Sequence, residues 1–167
     1  MKSAATIVLT GLLLLSVRAN AGEVRVAASV PYDPNVLVMD SIKNECSIGT
    51  ALSRSLVEHA PEHGVVVTVG EVGADSGPGR SLRLELIEAQ SAGHAFVGHA
   101  KSAAVRGVLF DDGAPVATVL ARRTSRGGAK GMFAGSCQVL DRTVEVIGSD
   151  LAEWLADPKD NARLGDF

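Results

Sequence analysis

From Cys137 onward the apolar residues Leu140, Val144, Ile147, Leu151, Trp154 and Leu155 recur at intervals of three and four. That spacing stacks side chains along one side of a helix. Asp141, Arg142, Glu145, Ser149, Asp150 and Glu153 fill the other side, so one stripe is buried and the other solvated. Pro158 ends the pattern. A second helical period runs from Cys46 to Ala60, with Ile48, Leu52, Leu56 and Val57 inward and Ser53, Arg54 and Glu58 outward. Asn44 is its expected N-cap, and Pro61 with Gly64 its stop.

The remaining patterns have a period of two. Glu23 to Val30 alternates loosely, and Pro31, Asp33, Pro34 and Asn35 close it. The apolar run Val36 to Met39 is expected to cover one edge of the core. Val65 to Val69 is short and β-branched, the composition of a buried strand, and Gly70 to Arg80 reads as a loop. Leu82, Leu84 and Leu86 alternate with Arg83 and Glu85, which predicts one buried and one wet face. Ala103 to Phe110 and Pro115 to Arg123 flank Asp111-Asp112-Gly113-Ala114, and Asp-Gly between apolar runs is a strong hairpin signal. With Asp112 and Gly113 as the turn, Leu109 should face Val116, Gly107 face Thr118 and Val105 face Leu120. These elements predict an α+β fold: an antiparallel sheet of four to five strands with two helices on one face.

Composition and charge bear chiefly on the chain's setting. Lys2, the apolar run Ala4 to Val17 and the small-residue site Ala19-Asn20-Ala21 read as an export signal over residues 1–21, leaving a single domain over residues 22–167. An uncleaved anchor is the other reading. The run is short for a bilayer span, and no cysteine follows the cut to carry lipid. Removing Lys2 and Arg18 lowers 16 basic side chains to 14 against 19 acidic ones, which argues against general nucleic-acid binding. The two cysteines, Cys46 and Cys137, lie 91 positions apart, and in an exported chain they are expected to form a disulfide. A loop of that size contributes about 4–5 kcal/mol in the chain-entropy picture.

Candidate chemistry gathers in the segment Arg122 to Gly135. Arg122, Arg123, Arg126 and Lys130 are concentrated there beside Ser125, Gly127 and Gly128, just before a helix start. Basic side chains, close backbone approach and free helix N–H groups are the parts of an anion or partner site. The lysine is followed by Gly131 and not by the Ser or Thr of a phosphate loop. The plainer reading is a surface loop whose arginines pair with Glu85, Glu88 or Asp141. His59 and His63 are four apart, but Pro61 breaks the helix that would align them, and His94 and His99 are five apart; neither pair carries the H-E-x-x-H motif, and no metal or other cofactor is expected. Ser91, Ser125 and Ser136 supply hydroxyls, but the nucleophile-elbow pattern is absent. Ser136 reads as a helix N-cap, and Asp111 and Asp112 as turn residues.

The stretches G-H-A-F-V-G-H-A-K-S-A-A-V-R-G-V-L, A-R-R-T-S-R-G-G, G-S-C-Q-V-L-D-R and D-L-A-E-W-L resemble a group of small exported bacterial proteins, a domain of unknown function with two cysteines and an R-R-x-S-x-G-G loop. Its layout is loosely similar to envelope α+β domains of curli-type secretion lipoproteins, whose lipid-bearing cysteine this chain lacks. The resemblance implies a bacterial periplasmic setting and no reaction. The expectation is therefore a periplasmic or secreted, non-catalytic binding or assembly module meeting an envelope protein or an anionic ligand. The alternative is a hydrolase or transferase acting on an anionic substrate at Arg122–Gly135.

Overall fold

The computed structural model describes residues 22–73, 77–91, 100–126 and 135–167. The proposed export signal, His94, His99, Gly127, Gly128 and Lys130 lie outside them. The elements follow as β1 (Val24–Val26), α1 (Asp40–Glu45), α2 (Ile48–His59), a 3-10 turn (Ala60–His63), β2 (Val67–Val69), β3 (Arg80–Ser91), β4 (Ala100–Asp111), β5 (Ala114–Arg126), α3 (Ser136–Ala156) and β6 (Ala162–Gly165). The class is α+β as the patterns predict. The sheet has six strands in the order β2-β1-β3-β4-β5-β6, and its pairing is mixed. β1 runs parallel to β2 and β3, and β6 parallel to β5; only β4 opposes its neighbours.

This differs from the antiparallel expectation for a physical reason. A parallel neighbour needs a crossover long enough to return the chain, which a helix supplies. Both long helices do that here: α2 lies between β1 and β2, and α3 between β5 and β6. The first crossover steps to one edge of the sheet and the second to the other, while both helices share one face. Two such connections must have opposite hands, so one departs from the right-handed preference.

The core lies between that face and the helices. Ile48, Leu52 and Leu56 of α2 and Leu140, Val144, Ile147, Leu151 and Leu155 of α3 are buried against Val24, Val26, Leu82, Leu84, Leu86, Val105 and Leu109 of the strands. The two helices approach closely at Gly148, where an added Cβ would stand 2.6 Å from Ser55 Oγ and 2.9 Å from the Leu56 nitrogen. Ser55 Oγ donates to the Glu145 carbonyl at 2.6 Å, tying the helices at the same point. Cys46 and Cys137 are joined, with their Cα atoms 5.0 Å apart, and link the start of α3 to the two-residue break between α1 and α2.

Three local expectations are corrected. Asn44 sits inside α1, because Cys46 is extended (φ −109°, ψ 130°) and separates two helices; Ser47 is the N-cap of α2. Gly135, and not Ser136, is the N-cap of α3. In the hairpin, Asp111 faces Ala114 and Phe110 faces Pro115, but Leu109 then faces Ala117. Val116 is the extra residue of a bulge and is half exposed. The shift puts Ala117, Val119 and Ala121 into the core, where the even register would have put Val116 and Leu120.

Candidate functional site

Successive residues of a strand point to opposite faces, and Arg122 and Arg123 are consecutive in β5. The segment's first two arginines are therefore held on different sides of the sheet. Arg123, opposite Ala103, points toward α3 and donates from Nε and Nη2 to the two carboxylate oxygens of Asp150, each at 2.7 Å. Its Nη1 lies 3.6 Å from Asp166. Arg122 points to the other face, where its Nε and Nη2 each reach Glu88 at 3.2 Å and its Nη1 reaches the Asp166 carbonyl at 3.3 Å. Burial pushes the Glu88 carboxyl up, but Arg122 and the donating Ser102 hydroxyl outweigh it and hold that carboxyl below its usual range. Both guanidiniums are raised above their ordinary value, Arg122 through its bonds to Glu88 and Arg123 through its bonds to Asp150.

The pairing with Glu88 matches the plainer sequence reading. Glu85 is taken instead by Arg106, whose Nη2 reaches Glu85 at 2.7 Å and Asp33 at 2.8 Å. Asp141 pairs with neither Arg122 nor Arg123. Arg126 is the last residue of β5.

Ser125 lies on the helix-covered side, opposite Lys101, which in turn faces Ser91. Lys101 is buried, donates to Ser91 Oγ, and is pushed below the usual lysine range by that burial. Ser125 also lines a groove of about 410 Å³ between the end of β5 and α3, together with Arg123, Thr124, Arg142, Val146 and Asp166. On one wall Asp166 Oδ2 accepts the Thr124 N–H at 2.8 Å. On the other wall Arg142 is exposed and makes no ion pair among the described residues. The groove thus holds one carboxylate of its own chain and one spare guanidinium.

Sequence reasoning missed three of these groups. Arg142 belongs to the outward stripe of α3, and nothing in that pattern tells which outward residues abut a strand end. Thr124 and Asp166 meet only because β6 pairs with β5, and Ala162–Gly165 carries no strand signature of its own. Among the described histidines, His59 bonds the Ser55 carbonyl at 2.8 Å and serves the helix. Among the described residues no cluster of three His, Cys, Asp or Glu could hold a metal ion.

No protein-family model matches the sequence, and no curated protein matches it. Among solved structures, a Xanthomonas campestris protein of the DUF330 family superposes with a TM-score of 0.54 at 13% identity, over 80% of this chain and 82% of that one. The PelC dodecamer from Paraburkholderia phytofirmans gives a TM-score of 0.47 at 16% identity, over 76% of this chain and 86% of that one. A minor lipoprotein from Acinetobacter baumannii gives 0.45 at 12% identity, over 80% of this chain and 90% of that one. At these identities the likeness is one of fold, and a domain-of-unknown-function protein shares it, in line with the resemblance drawn from the sequence motifs.

Proposed function

We propose that the protein is an exported, non-catalytic binding or assembly module of the bacterial envelope, periplasmic or secreted, whose groove between β5 and α3 receives an anionic partner. Its setting is supported by the Cys46–Cys137 disulfide, which persists in oxidising compartments, and by the leader-like residues 1–21. Among the described residues no helix is long and apolar enough to cross a membrane. The observation that carries the groove is Asp166: the chain's own carboxylate rests on the Thr124 N–H, with Arg123 beside it and Arg142, without an ion pair among the described residues, opposite. A partner carboxylate or phosphate would find the same donors.

Arg122 and Arg123 are tied to Glu88 and Asp150, so their removal disturbs the fold; Arg123→Ala should cost between the ~1 kcal/mol of an exposed pair and the ~3 kcal/mol of a buried one. Arg142→Ala removes a side chain that has no ion pair among the described residues. Immobilised oxidised protein should capture an envelope partner or a phosphate- or carboxylate-bearing ligand, and Arg142→Ala should reduce capture at least fivefold with Tm unchanged. Undiminished capture removes the groove from the account. The hydrolase or transferase alternative predicts turnover that Ser125→Ala abolishes, whereas a binding module predicts none.

A further inference from the structure

β1 is registered on β3 as far as Val26↔Leu82, and the chain rejoins β3 only at Tyr32↔Leu86. Between these points the backbone turns away to α2. Ser53 Oγ donates to the Ala27 carbonyl at 2.8 Å, and the Val30 N–H donates to the Gly49 carbonyl at 3.2 Å. Gly49 permits this approach, since a Cβ there would collide with the Val30 carbonyl. The detour leaves a slot beside β3 of about 260 Å³, lined chiefly by Val26, Ala27, Val30, Val72, Leu82 and Leu84. Arg83 and Glu85 reach its rim.

The gap from Leu82 to Leu86 is four residues, about 13 Å at the rise of a strand. The slot's volume, spread along that gap, suits a narrow, elongated ligand. It also exceeds the ~150 Å³ that suffices for an apolar cavity to take up benzene. The two charges at the rim are not equivalent. Glu85 is committed to Arg106 at 2.7 Å. Arg83 lies over the Phe110 ring at 4.8 Å and has no carboxylate partner among the described residues. Arg83 lines the slot while its guanidinium sits over Phe110 of β4 with no carboxylate partner among the described residues, so the negative head of a single-chain amphiphile could draw it to the slot.

We propose that the slot binds a single acyl chain bearing an anionic head, with the chain along β3 between Val26 and Leu84 and the head at Arg83. This is independent of the groove at Arg142. The shared chemistry could come from a free fatty acid or from an anionic lipid, and the test separates the two. Decanoate, decanol and phosphatidylglycerol vesicles are titrated onto the oxidised protein, with chemical shifts of β3 and Tm as readouts. Decanoate should saturate and perturb β3, and more tightly than decanol. Ala27→Leu, which narrows the slot, should weaken decanoate at least tenfold; Arg83→Gln should weaken decanoate severalfold and leave decanol unchanged. Should Ala27→Leu fail to fold, Val72→Trp at the slot's lining replaces it. Vesicle binding lost in the narrowed variant names the lipid source; decanoate saturation without vesicle binding names the free acid. No saturation by decanoate, equal binding of decanoate and decanol, or narrowed variants that bind as the parent does would each overturn the assignment.

Discussion

Asp141 stands in the second turn of α3 with Oδ1 buried and without a hydrogen-bond partner among the described residues. Burial, and then the like charge of Glu145, push its carboxyl above the usual range, with Arg54 opposing only in part. A carboxyl whose folded pKa is raised favours folding while protonated, and that advantage is lost as pH rises and the group ionises. Asp141→Asn should therefore raise Tm near pH 7.5, and the gain should vanish below about pH 4, where the parent carboxyl is itself protonated. Thermal melts of the two proteins across pH check it; equal Tm at pH 7.5 would mean the carboxylate finds a partner in solution. Glu88 has the opposite sign: its lowered pKa contributes stability above the unfolded carboxyl value that is lost as pH falls. At this scale the sequence could name Glu88 as a partner for the basic segment. It could not name Asp150, whose place beside Arg123 depends on how α3 is rotated over β5.

The helices and the hairpin were the legible elements, because their periods persist over many residues. Leu140, Val144, Ile147 and Leu151 are fully buried, as their spacing requires. The hairpin register slipped by one because Pro115 and Val116 together oppose a single position, and a bulge has no mark in an apolar run. The contact between α2 and α3 was not legible either. Gly148 sits at the border between the two stripes and was assigned to neither, yet it is where Ser55 and Leu56 come closest. Gly148→Ala should lose several kcal/mol, since the ~1 kcal/mol of helix propensity it gains is outweighed by backbone that cannot yield. Gly107→Ala meets only the methyl ends of Leu84 and Val119 and should cost less. Chemical denaturation of both variants tests the order; an equal or reversed order would show that the helices can separate.

For the whole molecule, the disulfide closes a loop of 91 positions and ties α3 to the chain just ahead of α2. Reduction, or Cys46→Ser with Cys137→Ser, should lower unfolding free energy by about 2–5 kcal/mol while leaving the far-ultraviolet spectrum native, since the buried stripes remain. A reduced protein as stable as the oxidised one would remove the bridge from the energetics of the fold. The DUF330-family structure shares the fold at 13% identity.

The sequence by itself determined the class, the two long amphipathic helices and the Asp-Gly hairpin, and, with the leader-like residues 1–21, the pairing of the cysteines. Each of these depends on local periodicity or on a count with one solution, so neighbours in sequence suffice. Strand direction, the edge strand Ala162–Gly165, the groove shared by Arg142 and Asp166, and the slot beside Leu84 were decided only by the tertiary structure. In every case the cause is a contact between segments far apart in the chain: α2 drawing Ala27 and Val30 off the sheet, or the tail returning to Thr124. A one-dimensional pattern records which side of an element is buried, but not which other element buries it.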